Sequence, residues 1–276
     1  MLDHRPRHPL PAGDRRLRPA AGASSPGSRL VSLLEVAGLR KAFGGVVAVD
    51  DLSFALDAGR MLAMIGPNGA GKSTCFAMLG GQLRPDRGSV RLDGRAVTGW
   101  PARRIWRAGV GRTFQVTRTF GSMSVFDNVQ TVVLSHRRRL RSLLRSARGL
   151  YREEVEALLE TVGIADQQAR VCAVLAYGDL KRVELAMALA ARPRLLLMDE
   201  PTAGMAPAER GALMRLIEGI CRERALGVLF TEHDMDIVFE HADEIMVLAR
   251  GRAIAHGTPA EVRADPQVQA VYLGEA

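Results

Sequence analysis

Residues 66–74, Gly-Pro-Asn-Gly-Ala-Gly-Lys-Ser-Thr, decide the fold of this chain. They match the pattern GxxxxGK[ST] and stand between two segments of regular pattern. Residues 61–65 form an apolar run that predicts a buried strand, and the stretch from Lys72 to about Leu79 predicts a helix. A chance glycine-rich turn is the alternative. The strand before it and the helix after it favour a phosphate-binding loop, whose glycines let the backbone wrap an anion.

The loop predicts that the chain binds ATP and Mg²⁺. The backbone amides of Gly69 and Gly71 are expected to point inward, where the start of the following helix also favours negative charge. Lys72 is expected to reach the β- and γ-phosphates, and the Ser73 hydroxyl to be a ligand of Mg²⁺. The predicted nucleotide-binding residues of the loop are Gly66, Pro67, Asn68, Gly69, Ala70, Gly71, Lys72, Ser73 and Thr74.

Two carboxylates follow a second apolar run, Leu-Leu-Leu-Met-Asp-Glu at residues 195–200. Asp199 is expected to hold the Mg²⁺ shell, and Glu200 to orient and deprotonate the attacking water. A solvated acidic pair at the end of a strand is the alternative. His233 ends another predicted strand and can donate a hydrogen bond to the γ-phosphate, although a lone histidine is more often structural.

Composition restricts the remaining possibilities. No apolar run approaches the ~20 residues that a membrane-spanning helix needs. The three cysteines are scattered without metal-ligand spacing, which fits a reducing cytosol. The net charge is +8, but six arginines against two aspartates in residues 1–30 contribute +4 of it. This distribution weakens the case for nucleic acid, and none is predicted as a partner.

The pattern along the chain predicts an α/β fold. Strands alternate with helices before residue 116 and again after Gly178, which indicates a largely parallel sheet covered on both faces. Residues 125–164 are predicted to be helical, with one apolar face on Leu140, Leu143, Leu144, Ala147 and Tyr151 and a second on Val155, Leu158, Leu159 and Val162. The last strand is predicted at residues 244–248. Residues 1–30 are rich in Pro, Ala and Arg without periodicity, which predicts a disordered tail.

Six motifs in order make the chain resemble the ATP-binding cassette (ABC) family over residues 33–276. They are Phe43, the phosphate loop, Gln115 in Gly-Arg-Thr-Phe-Gln, Leu-Ala-Tyr-Gly-Asp at 175–179, Asp199-Glu200-Pro201, and His233. The resemblance implies a P-loop NTPase core of the ABC ATPase type over residues 31–276. It would carry an antiparallel β subdomain and an inserted α-helical subdomain at about 116–190. Because Val31-Ser-Leu-Leu is similar to the opening of family members, residues 1–30 are alternatively sequence upstream of the true start.

The resemblance also implies roles for residues outside the loop. Phe43 would stack on adenine, with a core phenylalanine as the alternative. Gln115 would be a catalytic residue that senses Mg²⁺ as a ligand and relays to the membrane subunits. Tyr177 and Gly178 would contact the ATP bound by a second subunit. The family works as a head-to-tail pair with two ATP molecules between the subunits, which closes on binding and reopens on hydrolysis.

Residues 112–129 and the ending His-Gly-Thr-Pro through Tyr-Leu-Gly resemble importers of branched-chain amino acids and related amide or hydrophobic substrates. The resemblance is to their larger ATP-binding subunit. It implies permease subunits, a second ATP-binding subunit in a hetero- or homodimer, and indirectly a periplasmic substrate-binding protein. The location would be peripheral, at the cytoplasmic face of the inner membrane. The alternatives are the ATPase of lipopolysaccharide export, a urea or short-chain amide importer, and a soluble cassette ATPase acting on ribosomes or DNA.

The sequence departs from the family pattern at three positions. Ala176 stands where the family usually has Ser, Asp179 where it has Gln, and Ala206 where it has an acidic or amide residue. The serine hydroxyl normally reaches the γ-phosphate of the ATP held by the partner subunit, and Ala176 cannot donate a hydrogen bond. Harmless variation within this branch is one interpretation. The other is that the site this chain completes on its partner turns over more slowly.

Overall fold

The computed structural model describes residues 32–113, 119–137 and 150–273. Three predictions lie outside these residues. They are the role of Gln115, the tail or alternative start at residues 1–30, and the apolar face from Leu140 to Ala147. Among the described residues, no helix has the length and apolar composition that crossing a bilayer requires.

The described strands fall into two sheets. Their bounds are β1 Leu34–Phe43, β2 Val46–Leu56, β3 Met61–Ile65, β4 Arg87–Leu92, β5 Arg95–Ala96, β6 Val110–Arg112, β7 Leu195–Asp199, β8 Gly227–Thr231, β9 Glu244–Ala249 and β10 Arg252–Gly257. One sheet has the order β2-β1-β4-β5 and is antiparallel. The other has the order β10-β9-β3-β8-β7-β6 and is parallel except for β10. The predicted largely parallel sheet and antiparallel subdomain are confirmed.

The helices are α1 Lys72–Leu79, α2 Ala102–Arg107, α3 Val125–His136, α4 Arg152–Thr161, α5 Tyr177–Leu189, α6 Pro207–Glu223, α7 Met235–His241, α8 Pro259–Ala264 and α9 Pro266–Leu273. Several begin where a side chain caps the first turn. Ser124 accepts a hydrogen bond from the Asp127 amide at α3, and Thr258 and Glu261 form a capping box at α8.

The parallel sheet is buried on both faces, because alternate side chains of its strands enter two different cores. In β3, Met61, Ala63 and Ile65 face a core shared with α3 to α7, whereas Leu62 and Met64 face a core shared with α1 and the antiparallel sheet. Strands buried on both sides read as continuous apolar runs. This is why residues 61–65 could be recognised as a strand from sequence.

The helical segment also follows its apolar pattern. Val155, Leu158, Leu159 and Val162 are buried, and α4 carries the first three, which confirms the second predicted amphipathic face. Tyr151 precedes α4 with a left-handed backbone at φ 58°, and α3 ends earlier at His136. The residue limits of the predicted helical subdomain, about 116–190, stay a prediction.

The strand predicted at residues 244–248 is present as β9, but the prediction that it is the last strand is wrong. Strand β10 follows and pairs antiparallel with β9 at the edge of the sheet. None of its residues is buried, so no apolar run marked it. Strand β6 was also missed, because it is only three residues long and its glycine gives no β signal.

Candidate nucleotide-binding site

The phosphate loop, Asp199 and His233 lie at one edge of the parallel sheet. Strands β3, β8 and β7 are neighbours and run parallel, so their carboxyl ends meet there. The phosphate loop follows β3, Asp199 ends β7, and His233 lies two residues after β8. Crevices outside the carboxyl ends of parallel strands are where ligands bind in such sheets.

The phosphate loop needs glycine at two positions for steric reasons. Gly66 has φ 146° and Gly71 has φ 107°. A Cβ at Gly66 would lie 2.1 Å from the Leu248 carbonyl oxygen of β9, and one at Gly71 would lie 2.4 Å from the Ala48 carbonyl oxygen of β2. The backbone of the loop is therefore closely packed against both sheets.

Lys72 begins α1 and folds over the loop. Its Nζ donates hydrogen bonds to the carbonyl oxygens of Gly66 and Pro67. Burial lowers the pKa of Lys72, and the charges of Glu200 and Asp199 partly oppose that shift. The ammonium thus lies within electrostatic reach of both carboxylates, where the β- and γ-phosphates of ATP are expected.

Asp199 and Glu200 are positioned by the neighbouring strand. Asp199 pairs with Thr231 across β7 and β8, and the Thr231 hydroxyl donates to Asp199 Oδ1 at 2.9 Å. The same hydroxyl accepts a hydrogen bond from the Glu200 amide at 3.1 Å. Glu200 has φ 50°, a left-handed conformation that costs about 1–3 kcal/mol in a non-glycine residue. Contacts to Thr231 hold this strained turn in place.

His233 contacts the predicted catalytic base directly. Its Nε2 lies 2.8 Å from Glu200 Oε1, and its side chain is 55% exposed while that of Glu200 is 18% exposed. The structure therefore brings together two of the side chains that the sequence assigned to hydrolysis. The more exposed His233 ring thus places its Nε2 beside the less exposed Glu200 carboxylate.

Glu232 is a buried carboxylate beneath His233 that sequence analysis did not assign. Its Oε1 accepts hydrogen bonds from the Thr202 amide at 2.8 Å and the Thr202 hydroxyl at 2.7 Å, and its Oε2 accepts from the His233 amide at 3.3 Å. Burial raises the pKa of Glu232, and these donors oppose the rise. Glu232 links the segment after Glu200 to His233. A polar triplet at the end of an apolar strand, Thr-Glu-His, is the signal that could have identified it.

Arg112 is a second residue at this edge to which sequence analysis assigned no role, although it lies in the motif that contains Gln115. It ends β6, and its Nη2 lies 3.8 Å from Asp199 Oδ2. It also donates to the Gln82 side chain. Like Asp199 and Thr231, it stands at the carboxyl end of a parallel strand, but recognising this requires knowing that β6 exists.

Phe43 is an exposed aromatic residue, not a core residue. It ends β1, its side chain is 47% exposed, and Lys41 Nζ lies 5.6 Å from its ring centroid. The hairpin of β1 and β2 packs on the phosphate loop through Ala48. The core alternative is therefore wrong, and the predicted stacking on adenine stays a prediction that this exposure supports.

Tyr177 and Gly178 begin α5 and pack on the segment that follows Glu200. The Tyr177 ring lies 3.2 Å from the position of a Cβ at Gly204, and the Glu209 carboxylate lies 3.2 Å from the corresponding position at Gly178. Tyr177 is 39% exposed. Lys181 Nζ also lies 5.5 Å from the Tyr177 ring centroid. The predicted contact of both residues with ATP on a second subunit stays a prediction.

The donor set fits Mg²⁺ bound together with a nucleotide. Among the described residues, no group of three His, Cys, Asp or Glu side chains is arranged to hold a metal ion. Mg²⁺ in phosphate-transfer sites is instead held by one or two protein oxygens plus substrate phosphates. Ser73 in the first turn of α1 and Asp199, fixed by Thr231, supply oxygens of this kind.

Comparisons with known proteins agree with this geometry. Residues 49–203 match the family model described as ABC transporter, and residues 254–276 match the one described as branched-chain amino acid ATP-binding cassette transporter. The chain is similar to the high-affinity branched-chain amino acid transport ATP-binding proteins BraF of Pseudomonas aeruginosa and LivG of Salmonella typhimurium. BraF is 40% identical over 88% of this chain and 98% of BraF, and LivG is 39% identical over the same shares.

Two further similarities concern an export protein and a solved structure. The lipopolysaccharide export system ATP-binding protein LptB of Haemophilus influenzae is 34% identical over 89% of this chain and 98% of LptB. The crystal structure of the ADP conformation of MJ1267, an ATP-binding cassette of an ABC transporter, superposes with a TM-score of 0.79. It is 28% identical, and the match covers 88% of this chain and 99% of that one.

Proposed function

This chain belongs to the ABC transporter family, and from that premise we propose that it hydrolyses ATP to drive an importer of branched-chain amino acids or related amide and hydrophobic amino acids. The observation that supports this substrate class is the match of residues 254–276 to the branched-chain family. The partners would be permease subunits, a second ATP-binding subunit and, indirectly, a periplasmic substrate-binding protein. The chain would lie peripherally at the inner face of the membrane.

The arrangement of Lys72, Glu200 and His233 supports ATP hydrolysis. The loop amides and Lys72 bind the phosphates, and Glu200 takes a proton from the water whose oxygen attacks the γ-phosphorus. As that bond forms, the bond to the oxygen bridging the β- and γ-phosphates breaks and ADP leaves with the electron pair. His233, hydrogen-bonded to Glu200 in this structure, orients the base and can turn its ring nitrogen to the γ-phosphate.

When bound, Mg²⁺ neutralises charge on the β- and γ-phosphate oxygens. Ser73 and Asp199 would hold it, and Gln115, outside the described residues, is the third proposed ligand. Thr231 keeps the Asp199 carboxylate turned to this edge through its hydroxyl.

An apolar cavity of about 270 Å³ offers a docking place for a permease segment. It lies between α2 and β6 on one side and α3 and α5 on the other, with Ile105, Trp106, Val132 and Met187 in its walls. Arg112, which contacts Asp199, also lines it, so a segment seated there would touch a residue of the nucleotide site. This connection supports coupling between transport and hydrolysis.

Import is favoured over lipopolysaccharide export, because the branched-chain relatives are the more similar proteins and the last residues match the branched-chain family. The test is to co-purify the chain with its permeases, reconstitute the complex and measure ATPase activity with the binding protein. We expect stimulation by leucine, isoleucine or valine. Stimulation by lipopolysaccharide alone would overturn the proposal, and stimulation by urea alone would move the substrate class to small amides.

The same complex tests the assigned chemistry. Glu200→Gln should keep ATP binding and lose at least about 10²-fold in turnover, since a positioned base contributes about that much. Lys72→Ala should weaken nucleotide binding itself. Glu223→Gln, which changes an exposed carboxylate at the end of α6, is the matched control and should behave as wild type. Near-normal turnover in Glu200→Gln would remove Glu200 from its role.

A further inference from the structure

One exposed stretch of the described residues is rich in arginine. Residues 84–107 contain seven arginines and two aspartates. All seven arginine side chains are exposed. They are Arg84, Arg87, Arg91, Arg95, Arg103, Arg104 and Arg107. The stretch covers β4, β5 and α2 and carries a net charge of +5 from these residues.

Two of these arginines stack on one tryptophan, and a third lies against the residue before it. The Cζ atoms of Arg104 and Arg95 lie 3.5 Å and 4.7 Å from the centroid of Trp100. Arg84 lies against the neighbouring Gly99, with its Cγ 3.2 Å from the position of a Cβ there. A guanidinium stacked on an aromatic face keeps its N–H donors in the plane of the group, where they can bind phosphate oxygens.

The acidic residues nearby are already paired elsewhere. Asp86 accepts hydrogen bonds from Lys41 and the Ala42 amide, and Asp93 accepts two from Arg194. Within the described ranges, Arg84, Arg95 and Arg104 form no salt bridge, and the same holds for Arg103. By contrast, Arg137 and Arg152 in the helical segment pair with Glu154 and Glu156. The charge around Trp100 is therefore not compensated within this part of the protein.

We propose that this basic surface, defined as Arg84, Arg95, Trp100, Arg103 and Arg104, contacts the anionic phospholipid headgroups of the membrane beside the permease. The proposal rests on the proposed function. Helix α2 carries Arg103 and Arg104 on its exposed side, while its Ile105 and Trp106 line the cavity proposed to receive a permease segment. A permease segment seated in this cavity would belong to a protein embedded in the bilayer, so we expect the exposed side of the same short helix to face the headgroups.

Tryptophan fluorescence can show whether this surface contacts the membrane, because the chain has two tryptophans and only one belongs to the surface. Trp100 belongs to the basic surface and Trp106 to the adjoining cavity. In full-length Trp106→Phe protein, Trp100 is the only tryptophan, so quenching of its fluorescence by vesicles with headgroup-attached nitroxide reports on this surface alone. Binding through another basic segment would leave Trp100 unquenched.

We expect quenching by phosphatidylcholine vesicles that contain about a third phosphatidylglycerol, and none by phosphatidylcholine alone. Adding Arg84→Gln, Arg95→Gln and Arg104→Gln should weaken the affinity measured by quenching about tenfold or more, since each arginine near an anionic surface contributes to binding. The charge-matched control changes Arg215, Arg250 and Arg263, which are exposed outside this stretch, to Gln and should keep the wild-type affinity. High salt should release the protein.

Vesicle binding without quenching of Trp100, or equal affinity in the two triple variants, would overturn the proposal. A response of Trp100 to double-stranded DNA but not to vesicles would identify the partner as nucleic acid and would also overturn it. If quenching fails while amino acids still stimulate the reconstituted ATPase, the membrane surface is wrong and the proposed function stands. If Trp100 is quenched but amino acids do not stimulate the ATPase, the basic surface binds lipid and the proposed function is wrong.

Discussion

Glu232 connects two parts of the predicted active site, the segment after Glu200 and His233. It holds Thr202, in the segment after Glu200, and the amide of His233, which contacts Glu200. A buried carboxylate is costly unless hydrogen bonds compensate for the lost water. The hydrogen bonds from Thr202 and from the His233 amide compensate for this cost. They also connect the segment after Glu200 to His233, whose ring contacts Glu200.

We predict that Glu232→Gln and Glu232→Ala differ. Glutamine can still accept both bonds from Thr202, but its amide nitrogen cannot accept from the His233 amide, so turnover should fall while ATP affinity is kept. Alanine leaves both Thr202 donors without an acceptor, which should cost about 1–3 kcal/mol of unfolding free energy. Chemical denaturation and single-turnover hydrolysis measure the two effects. Wild-type turnover in Glu232→Gln would show that Glu232 does not position His233.

The pH dependence of Glu232 has a definite sign. Burial raises its pKa above the ordinary 4.5, so the folded protein holds this proton more tightly than the unfolded chain does. The Glu232 contribution to unfolding free energy should therefore fall as the pH rises from 4.5 through the raised pKa. Glu232→Gln should lack this contribution in the same denaturation series.

Ala176 is the residue by which the two ATP sites of a heterodimer would differ. It caps the start of α5 without a side-chain hydrogen bond, and Asp179 in the first turn accepts one from Gln167 at 3.0 Å. We predict that Ala176→Ser raises ATP-dependent dimerisation or turnover at the partner's site about tenfold or more, since a hydrogen bond to a charged group contributes about 1.5–3 kcal/mol. The site on this chain's own loop should not change.

Site-resolved hydrolysis, with the base removed in one subunit at a time, measures this effect. Serine at a helix start also stabilises the helix by about 1 kcal/mol, so thermal denaturation of the isolated chain is the necessary control. Equal rates at both sites without a response to Ala176→Ser would mean that the variation is harmless.

At the level of elements, the phosphate loop is shaped by the two strands that it touches. Gly71 approaches β2 so closely that any side chain would meet the Ala48 carbonyl oxygen, and Gly66 approaches β9 in the same way. The loop thus depends on the antiparallel sheet as well as on the parallel one. The same hairpin presents Phe43, so the adenine and phosphate parts of the predicted site are positioned by one contact.

We predict that Gly71→Ala lowers the melting temperature without nucleotide and abolishes ATP binding, because a Cβ would have to displace β2 and would meet an unfavourable φ of 107°. Gly45→Ala, in the turn of the same hairpin, is the matched control, since no atom lies within 4 Å of its added Cβ. Differential scanning fluorimetry and a nucleotide-binding assay compare the two. Equal melting temperatures in Gly71→Ala and Gly45→Ala would show that the hairpin can move to make room for the added Cβ.

At the level of the whole chain, residues 1–30 are predicted to be dispensable. Their Pro- and Arg-rich composition offers too little apolar surface to stabilise a fold. We expect deletion of these residues to leave the melting temperature and the permease-stimulated ATPase activity unchanged. Intact-mass measurement of the native protein shows whether they are present. A loss of activity in the deletion variant would assign them a role.

The sequence by itself determined the phosphate-loop motif, the strands that read as apolar runs and the residues predicted to act on phosphate. These features are local: a loop of fixed glycines, a buried strand and a strand end each leave their pattern within about ten residues. Lys72, Asp199, Glu200 and His233 could therefore be singled out from sequence, and the structure places them at one edge of the sheet. The short or exposed strands β6 and β10 leave no such pattern and were missed.

Only the tertiary structure decided which distant residues meet. Glu232 holds Thr202 and Arg112 approaches Asp199 because β6, β7 and β8 are neighbours, although long segments separate β6 from β7 and β7 from β8 along the chain. Such contacts depend on strand order and packing, which are fixed by burial across the whole core and leave no local trace in the sequence.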